Sequence, residues 1–541
     1  MATNSAPAPT PPTVSRLPPD PALMYQHHGA GSGSRIALAA EAIAPRYFHN
    51  PWPSYRMASL NDAWLAYQKG AAIATPQLGS NAAASSSRIS LSPSCLGHPP
   101  DDEEADDDEA AQPLQSPPFA GQGFRDPADD SDDEPLNDTE PEWPKRQHPP
   151  EPVRGYVRPA FSRILSADDA GDWREPPVRV EEPRWQRSPR TPTITWLGHA
   201  GAFVQIPWAD DRAGAAGVLF DPIFSYRCSP SQLVGPARYL QPPCGIDDLP
   251  QVHVCCISHD HYDHLDYNSI IELWNIHQQT IHFFVPLGLA QWFKNCGIPA
   301  ARVTELDWWC EALVSFPADG SAPKAVDPTY PPPPDAAPTV NPAAALTLKV
   351  AYTPAQHRSG RGLFDHMQSL WGSWAVGVVG ADNAVAALKP GMAGWTDFKV
   401  YFGGDTGYRY ATAPEGDVTA VCPAFKEIGQ RYGPFSLALL PLSTGSSLPF
   451  LRSLLQLSLD QYTLTSSLHC SPADSMQIHT EVGAERSVGI HWGTFCDAAE
   501  ARATRVEFGR ARRHHGLSQH WEHPGEQGCF IMTDIGETYT L

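Results

Sequence analysis

His259-Asp260-His261-Tyr262-Asp263-His264 packs five potential metal ligands into six consecutive residues. It follows the apolar run 252–257, which reads as a buried strand, and leads into a helical pattern over 269–278. At a strand-to-loop turn alternate side chains point the same way, so His259 and His261 can face one metal while Asp263 and His264 turn toward a second. A lone His-x-His would read as a polar surface loop. Here the complementary ligands follow downstream: His357 after the apolar run 348–352, Asp405 after 399–402 and His491 after 487–490, each at the end of a strand candidate. Imidazole with carboxylate suits zinc and leaves iron and manganese open.

Further strand candidates are 193–196, 203–206, 218–220, 282–285 and 437–440, with a second helical pattern at 426–432. Strands alternating with helices, with His and Asp in the loops between, predict an α/β fold of sheets covered by helices and chemistry at the strand ends. The 541 residues allow more than one domain at roughly 100–200 residues each. Between 101 and 142, however, 17 Asp and Glu stand against Arg125, carrying −16 of the formal charge of −22 and leaving the rest only mildly acidic. The expected organisation is a disordered leader over 1–44 and a segment at 45–70 that packs on the core. An acidic low-complexity linker follows over 71–150, then one domain over 151–541 interrupted by a low-complexity insertion at 316–347. The 45–70 segment carries Asn50-Pro51-Trp52-Pro53 and a helix through Trp64 and Tyr67.

No basic block supports a nucleic-acid partner. The 11 cysteines include no C-x-x-C pair, which fits a reducing, intracellular compartment. The first residues lack a secretory pattern, and no stretch of about 18 apolar residues predicts a spanning helix. Work on lipid would then proceed from a membrane surface, in the cytoplasm or, given Arg16 and Arg35 in an acid-poor leader, in association with mitochondria.

Longer strings carry a family resemblance: Thr195-Trp196-Leu197-Gly198-His199-Ala200, Asp221-Pro222-Ile223-Phe224, Ser229-Pro230-Ser231-Gln232 and Leu265-Asp266-Tyr267-Asn268-Ser269. To these add Leu306-Asp307-Trp308-Trp309, Leu370-Trp371-Gly372-Ser373-Trp374, Gly404-Asp405-Thr406-Gly407-Tyr408, Cys422-Pro423-Ala424-Phe425 and His491-Trp492-Gly493-Thr494-Phe495. Over 47–69 and 179–541 the chain resembles the N-acylphosphatidylethanolamine-hydrolysing phospholipase D family of the metallo-β-lactamase superfamily. The resemblance implies an αββα sandwich with two Zn2+ per protomer. His259, His261 and His357 would hold one ion, Asp263, His264 and His491 the other, with Asp405 bridging. It further implies a phospholipid substrate at a membrane surface, cleaved to an N-acylethanolamine and phosphatidic acid, and a homodimer. Asp221 would orient a ligand imidazole, or else simply turn the chain before Pro222. His469 would join Asp263 in catalysis by serving the reacting phosphate, or else be structural.

Two zinc ions sharing a water lower its pKa toward ~7 and clamp the oxygens of an in-line displacement. The chain departs from the family at Arg358, where an aromatic residue is usual, at the insertion 409–421, and over 442–468, which is longer and rich in Leu. Leu451, Leu454, Leu455 and Leu459 fall at helical spacing, so they read as an amphipathic helix on a bilayer or as ordinary core, and Trp308 and Trp309 share those two readings. The alternatives are hydrolysis of another phosphodiester or ester by the same site, or a non-catalytic interaction protein.

Overall fold

The computed structural model describes residues 13–17, 48–74, 176–209, 213–317, 344–362, 364–380, 383, 386–414, 416–443 and 460–541. In chain order the strands are β1 (Thr13–Arg16), β2 (Thr193–Gly198), β3 (Gly201–Pro207), β4 (Ala215–Phe220), β5 (Val252–Cys256), β6 (His282–Pro286), β7 (Val303–Leu306) and β8 (Glu311–Pro317). They continue as β9 (Ala344–Thr353), β10 (Ser373–Val379), β11 (Trp395–Phe402), β12 (Phe435–Pro441), β13 (Ala484–Ile490), β14 (Cys529–Ile531) and β15 (Thr538–Thr540). The helices are α1 (Leu60–Ala74), α2 (Tyr267–His277), α3 (Ala290–Asn295), α4 (Ala424–Tyr432), α5 (Gln461–Thr465), α6 (Pro472–Val482) and α7 (Ala498–His514).

Two sheets result, one ordered β1-β8-β9-β10-β11-β12-β13-β14 and the other β15-β2-β3-β4-β5-β6-β7. Each is antiparallel on one side and parallel on the other: β4 to β7 run parallel in the second sheet, and β11 to β14 in the first. Strands apolar on both faces must be covered on both faces, and strand alternation shows how. Ala202, Val204, Phe220, Val254 and Phe284 point into the core between the sheets. Phe203, Leu219, Cys255, Phe283 and Val285 point outward, against Ile270, Leu273 and Phe293 of α2 and α3. Phe220 stacks on Phe402 across the inter-sheet core with centroids 4.7 Å apart. On the far face of the other sheet, Phe425, Ile428, Met476, Ile478, Val482 and Phe508 of α4, α6 and α7 join the core. The order of layers is helix, sheet, sheet, helix: the metallo-β-lactamase fold.

The structure departs from the sequence-based expectation at one point and decides two matters that it left open. Thr13–Arg16, within the presumed disordered leader, pairs antiparallel with β8, and Leu17 is buried against Leu313 and Ala387. The edge of β8 offers unpaired backbone groups that this short β-branched stretch satisfies, a pairing across almost 300 residues that local composition does not reveal. Trp308 and Trp309 are buried and so do not meet a bilayer. Trp308 stacks on Trp52 at 5.4 Å and its indole N–H donates to the Trp371 carbonyl at 2.6 Å, while Trp309 lies over Tyr432. The insertion 409–421 packs on the N-terminal segment: Tyr410 and Thr412 both donate to Asp62 of α1, at 2.8 and 2.6 Å. The 316–347 insertion joins the paired strands β8 and β9, whose ends Pro317 and Ala344 lie side by side. Leu451 and Leu455, the acidic linker beyond residue 74 and the rest of the leader lie outside the described residues. Among the described residues no helix is long and apolar enough to cross a membrane.

Candidate metal centre

The parallel strands of both sheets end at the same rim, and the loops that leave them carry the site. β5 feeds the His259–His264 turn, β4 ends one residue before Asp221, β9 leads to His357, β11 to Asp405, and β13 to His491. All of these ligand candidates are buried except His261, which is half-buried. The structure brings together every ligand candidate read from the sequence, in two adjoining groups.

In the first group, Nε2 of His259 and Nδ1 of His261 are 2.8 Å apart and Nε2 of His357 is 3.2 Å from that same His261 Nδ1. Hydrogen bonds on the far side of the rings set their tautomers. His357 Nδ1–H donates to the Leu468 carbonyl at 2.9 Å, so its Nε2 presents a lone pair. Ser258 Oγ gives its proton to Asp221 and accepts from His259 Nδ1–H at 2.9 Å, so Nε2 of His259 is also a bare acceptor. At most one proton, on His261 Nδ1, is left for two acceptors that face it. A cation between the three rings serves all of them, so the donor set fits a metal.

The second group holds His264, His491, Asp263 and His199. His264 Nδ1–H donates to Asp221 Oδ2 at 2.7 Å, leaving its Nε2 to face Nε2 of His491 at 3.2 Å. Asp221 therefore orients His264 and, with φ of 36°, also turns the chain, so both readings of this residue describe it. Its other oxygen accepts from the backbone N–H of Ser258 at 2.7 Å, which ties the start of the ligand loop to β4.

Asp405 connects the groups. Its Oδ2 lies 3.4 Å from His357 Nε2 in the first and 3.5 Å from His491 Nε2 in the second. Its Oδ1 accepts from His469 Nδ1–H at 2.9 Å, which places His469 at the edge of the site with its side chain still partly exposed. Among the described residues only imidazoles form ion pairs with Asp221 and Asp405. Buried carboxylates need compensating positive charge, and protonated imidazole or a divalent cation are the two sources on hand. Burial pushes His259, His357 and His491 well below the usual imidazole range. Burial also pushes His264 down, but Asp263, Asp221 and Asp405 outweigh it and bring it up to about 9. Burial pushes Asp405 up, but its contacts with the surrounding imidazoles, His469 first, bring it well below the usual carboxylate range. The site thus sets buried carboxylates among closely packed imidazoles, of which His259, His357 and His491 are pushed toward the neutral form.

His199 was not among the residues singled out for the site. Its Nε2–H donates to Asp263 Oδ2 at 3.0 Å, and its carbonyl accepts from the His491 N–H at 2.7 Å. His199, Asp221 and His491 all hold positive φ, at 50°, 36° and 61°. Non-glycine residues in that region are costly and cluster where function demands them. Such backbone strain, together with the Gly198-His199 turn between β2 and β3, is the signal that marks His199.

The N-terminal segment also reaches this centre. Asn50 donates to the His357 carbonyl at 2.7 Å, Ser54 bonds Gln356, and Gln356 donates to the Ser467 carbonyl at 3.0 Å. Residues 50–54 thereby brace the loop that carries His357.

A family model described as the Beta-lactamase superfamily domain matches residues 217–492, just over half of the chain, and takes in every side chain of the two groups above except His199. The chain belongs to the β-lactamase superfamily. Among curated relatives of this superfamily member, the N-acyl-phosphatidylethanolamine-hydrolyzing phospholipase D 1 of Caenorhabditis elegans is 33% identical over 306 residues, covering 56% of this chain and 64% of the worm protein. The mitochondrial enzyme of the same name in Saccharomyces cerevisiae is 27% identical over 325 residues, covering 60% of this chain and 52% of the yeast protein. The chain thus spans less than two thirds of either relative's length. Among solved structures, a metallo hydrolase of Ignicoccus hospitalis aligns with 65% of this chain and 98% of its own at 17% identity and a TM-score of 0.35. The superfamily fold implies binding of divalent metal.

Proposed function

We propose that the centre holds two zinc ions and hydrolyses N-acylphosphatidylethanolamine at phosphorus, releasing an N-acylethanolamine and phosphatidic acid. The observation that carries this reading is the position of Asp405 Oδ2, 3.4 Å and 3.5 Å from one ligand imidazole of each group, where a single carboxylate oxygen can serve two ions. His259, His261 and His357 would hold one, Asp263, His264 and His491 the other. The names of the worm and yeast relatives support the substrate class. Bound zinc supplies a water ionised near neutral pH and charge neutralisation at the phosphoryl oxygens.

The chain's own residues do the rest. Asp221, Ser258 and the Leu468 carbonyl hold the imidazoles in the tautomer that presents lone pairs. Asp263 accepts from His199 Nε2–H at 3.0 Å, which would fix the direction of its carboxylate in the second group. His469, hydrogen-bonded through Nδ1 to Asp405, has its other ring nitrogen free to serve the phosphoryl oxygen or to protonate the departing alkoxide. Attack forms a bond from water oxygen to phosphorus and breaks the bond from phosphorus to the N-acylethanolamine oxygen, which takes up a proton as it leaves.

The test is turnover of N-acylphosphatidylethanolamine vesicles in water enriched in oxygen-18, with both products analysed by mass spectrometry. The expected result is label in phosphatidic acid and none in the N-acylethanolamine. Label in the alcohol contradicts attack at phosphorus. No lipid products from a protein that still cleaves a simple aryl phosphodiester removes the lipid assignment and leaves the metal chemistry standing.

A further inference from the structure

Tyr262, at the centre of the ligand turn, is gripped from two sides. On one side it packs against Ile223, Cys228 and Phe495, and on the other the Arg361 guanidinium lies over its ring at 4.6 Å. Cys228 belongs to the loop 225–236 and Arg361 to the loop 358–369, and these two loops also hold the two ends of the turn. Ser225 bonds Asp266 through its N–H at 3.2 Å and its hydroxyl at 2.9 Å. From the other loop, Gly360 N–H and Ser369 Oγ each donate to Asp260 at 2.8 Å, and Arg361 donates to the carbonyls of Asp260 and Leu265. Both loops are therefore part of the frame of the metal centre.

Each loop ends in an apolar tip turned to solvent. Leu233 is 86% exposed and Val234 69%, and Phe364 is 89% exposed. Tyr226 and Tyr267 are exposed beside them, so five of the eleven large exposed hydrophobic residues among the described ones belong to the ligand loop's immediate surroundings. The tips are braced against folding back. Arg227 and Gln232 exchange backbone-to-side-chain hydrogen bonds of 2.9 Å, and Ser229 Oγ donates to the Val234 carbonyl at 2.5 Å. Across the other loop Asp365 accepts from the N–H groups of Arg361 and Gly362 at 2.9 and 2.7 Å. Side chains as apolar as these, held rigidly in water on two loops of one site, mark a contact surface.

We infer that Leu233, Val234 and Phe364 insert into the interfacial layer of a phospholipid bilayer and seat the mouth of the metal centre on it. This inference rests on the proposed lipid substrate for the choice of occupant: a diacyl phospholipid with a third acyl chain is presented by a bilayer, and a protein that takes it must meet that surface. The tyrosines at the base of the tips suit the headgroup level, where an amphipathic ring has its apolar body buried and its hydroxyl wet.

The experiment is flotation of the full chain with phosphatidylcholine vesicles, comparing the wild type with the Leu233→Asp/Val234→Asp double variant and with Phe364→Asp. Val418→Asp, an equally exposed residue on the 409–421 insertion, is the control. The positions are in water, so the variants keep the wild-type melting temperature. Vesicle partition is expected to fall by at least about tenfold in the two tip variants and to stay at the wild-type level in Val418→Asp. Equal partition of wild type and tip variants overturns the inference, as does absence of partition by the wild type. So does a wild-type dimer that Phe364→Asp converts to monomer, because the tips then serve self-association. Vesicle partition that depends on the tips, without any cleavage of N-acylphosphatidylethanolamine, leaves this surface in place and removes the proposed substrate instead.

Discussion

His261→Ala is expected to lower turnover by on the order of 10³-fold while leaving the fold intact. His261 is the one half-buried imidazole of the first group, and its removal costs little packing. Chemically it is central: its Nδ1 sits 2.8 Å from His259 Nε2 and 3.2 Å from His357 Nε2, so it is the ligand that both others face. Without it, His259 and His357 keep their tautomers, because Ser258 and the Leu468 carbonyl still hold their Nδ1 protons. Two imidazoles and Asp405 would then remain for an ion that the proposed site would hold with three imidazoles and that carboxylate. Steady-state turnover together with the melting curve checks this: loss of rate at an unchanged melting temperature is expected, and retention of rate to within a few-fold removes the first group from the chemistry.

Lys349→Met is expected to destabilise the protein by about 3 kcal/mol, the usual cost of removing one partner of a buried ion pair, with Arg431 still 3.8 Å from the Glu311 carboxylate. Lys349 on β9 is fully buried, with Nζ 3.0 Å from Glu311 Oε2 on β8. It also donates to the carbonyls of Lys389 and Gly391 at 2.7 and 2.8 Å. Glu311 in turn accepts from the Gly391 N–H and the Tyr432 hydroxyl, each at 2.8 Å. The pair thus pins the 386–394 connection and the end of α4 onto the β8-β9 hairpin. Burial pushes the Lys349 ammonium below its usual range, and Glu311 offsets only part of this. Urea unfolding checks the magnitude. The double variant Lys349→Met/Glu311→Gln is expected to regain part of the loss, since no buried carboxylate then lacks its lysine; a single variant as stable as the wild type would show that Arg431, 3.8 Å from Glu311, compensates the carboxylate by itself.

Much of the centre was legible from the chain because its chemistry is local or strand-linked. The ligand turn announces itself in six residues, and His357, Asp405 and His491 could be picked out because each follows an apolar run by a few positions. The strands themselves were visible where both faces are buried, as in β5 and β6, where continuous apolar runs leave few other readings. What escaped depends on distant contacts. His199 looks like any turn histidine until β2 and β3 set it 3.0 Å from Asp263, 64 positions away. β1 is four residues in a proline-rich stretch, and only the open edge of β8 makes them a strand. Trp308 and Trp309 could be read as membrane contacts or as core because bulk and apolarity say nothing about which way a side chain faces. α7 carries Glu and Arg along much of its length, so its apolar stripe is thin, although Asp497 caps its start by accepting from the Glu500 N–H at 2.8 Å.

The most direct measurement is the metal content of the full chain, purified without chelator, by elemental analysis against protein concentration from amino-acid analysis. The two-group geometry around Asp405 predicts about two zinc per chain, with removal of the metal abolishing turnover and readdition restoring it. A chain that turns over its substrate fully with no metal, or that saturates at one equivalent, would contradict a bridging role for Asp405 and with it the paired centre.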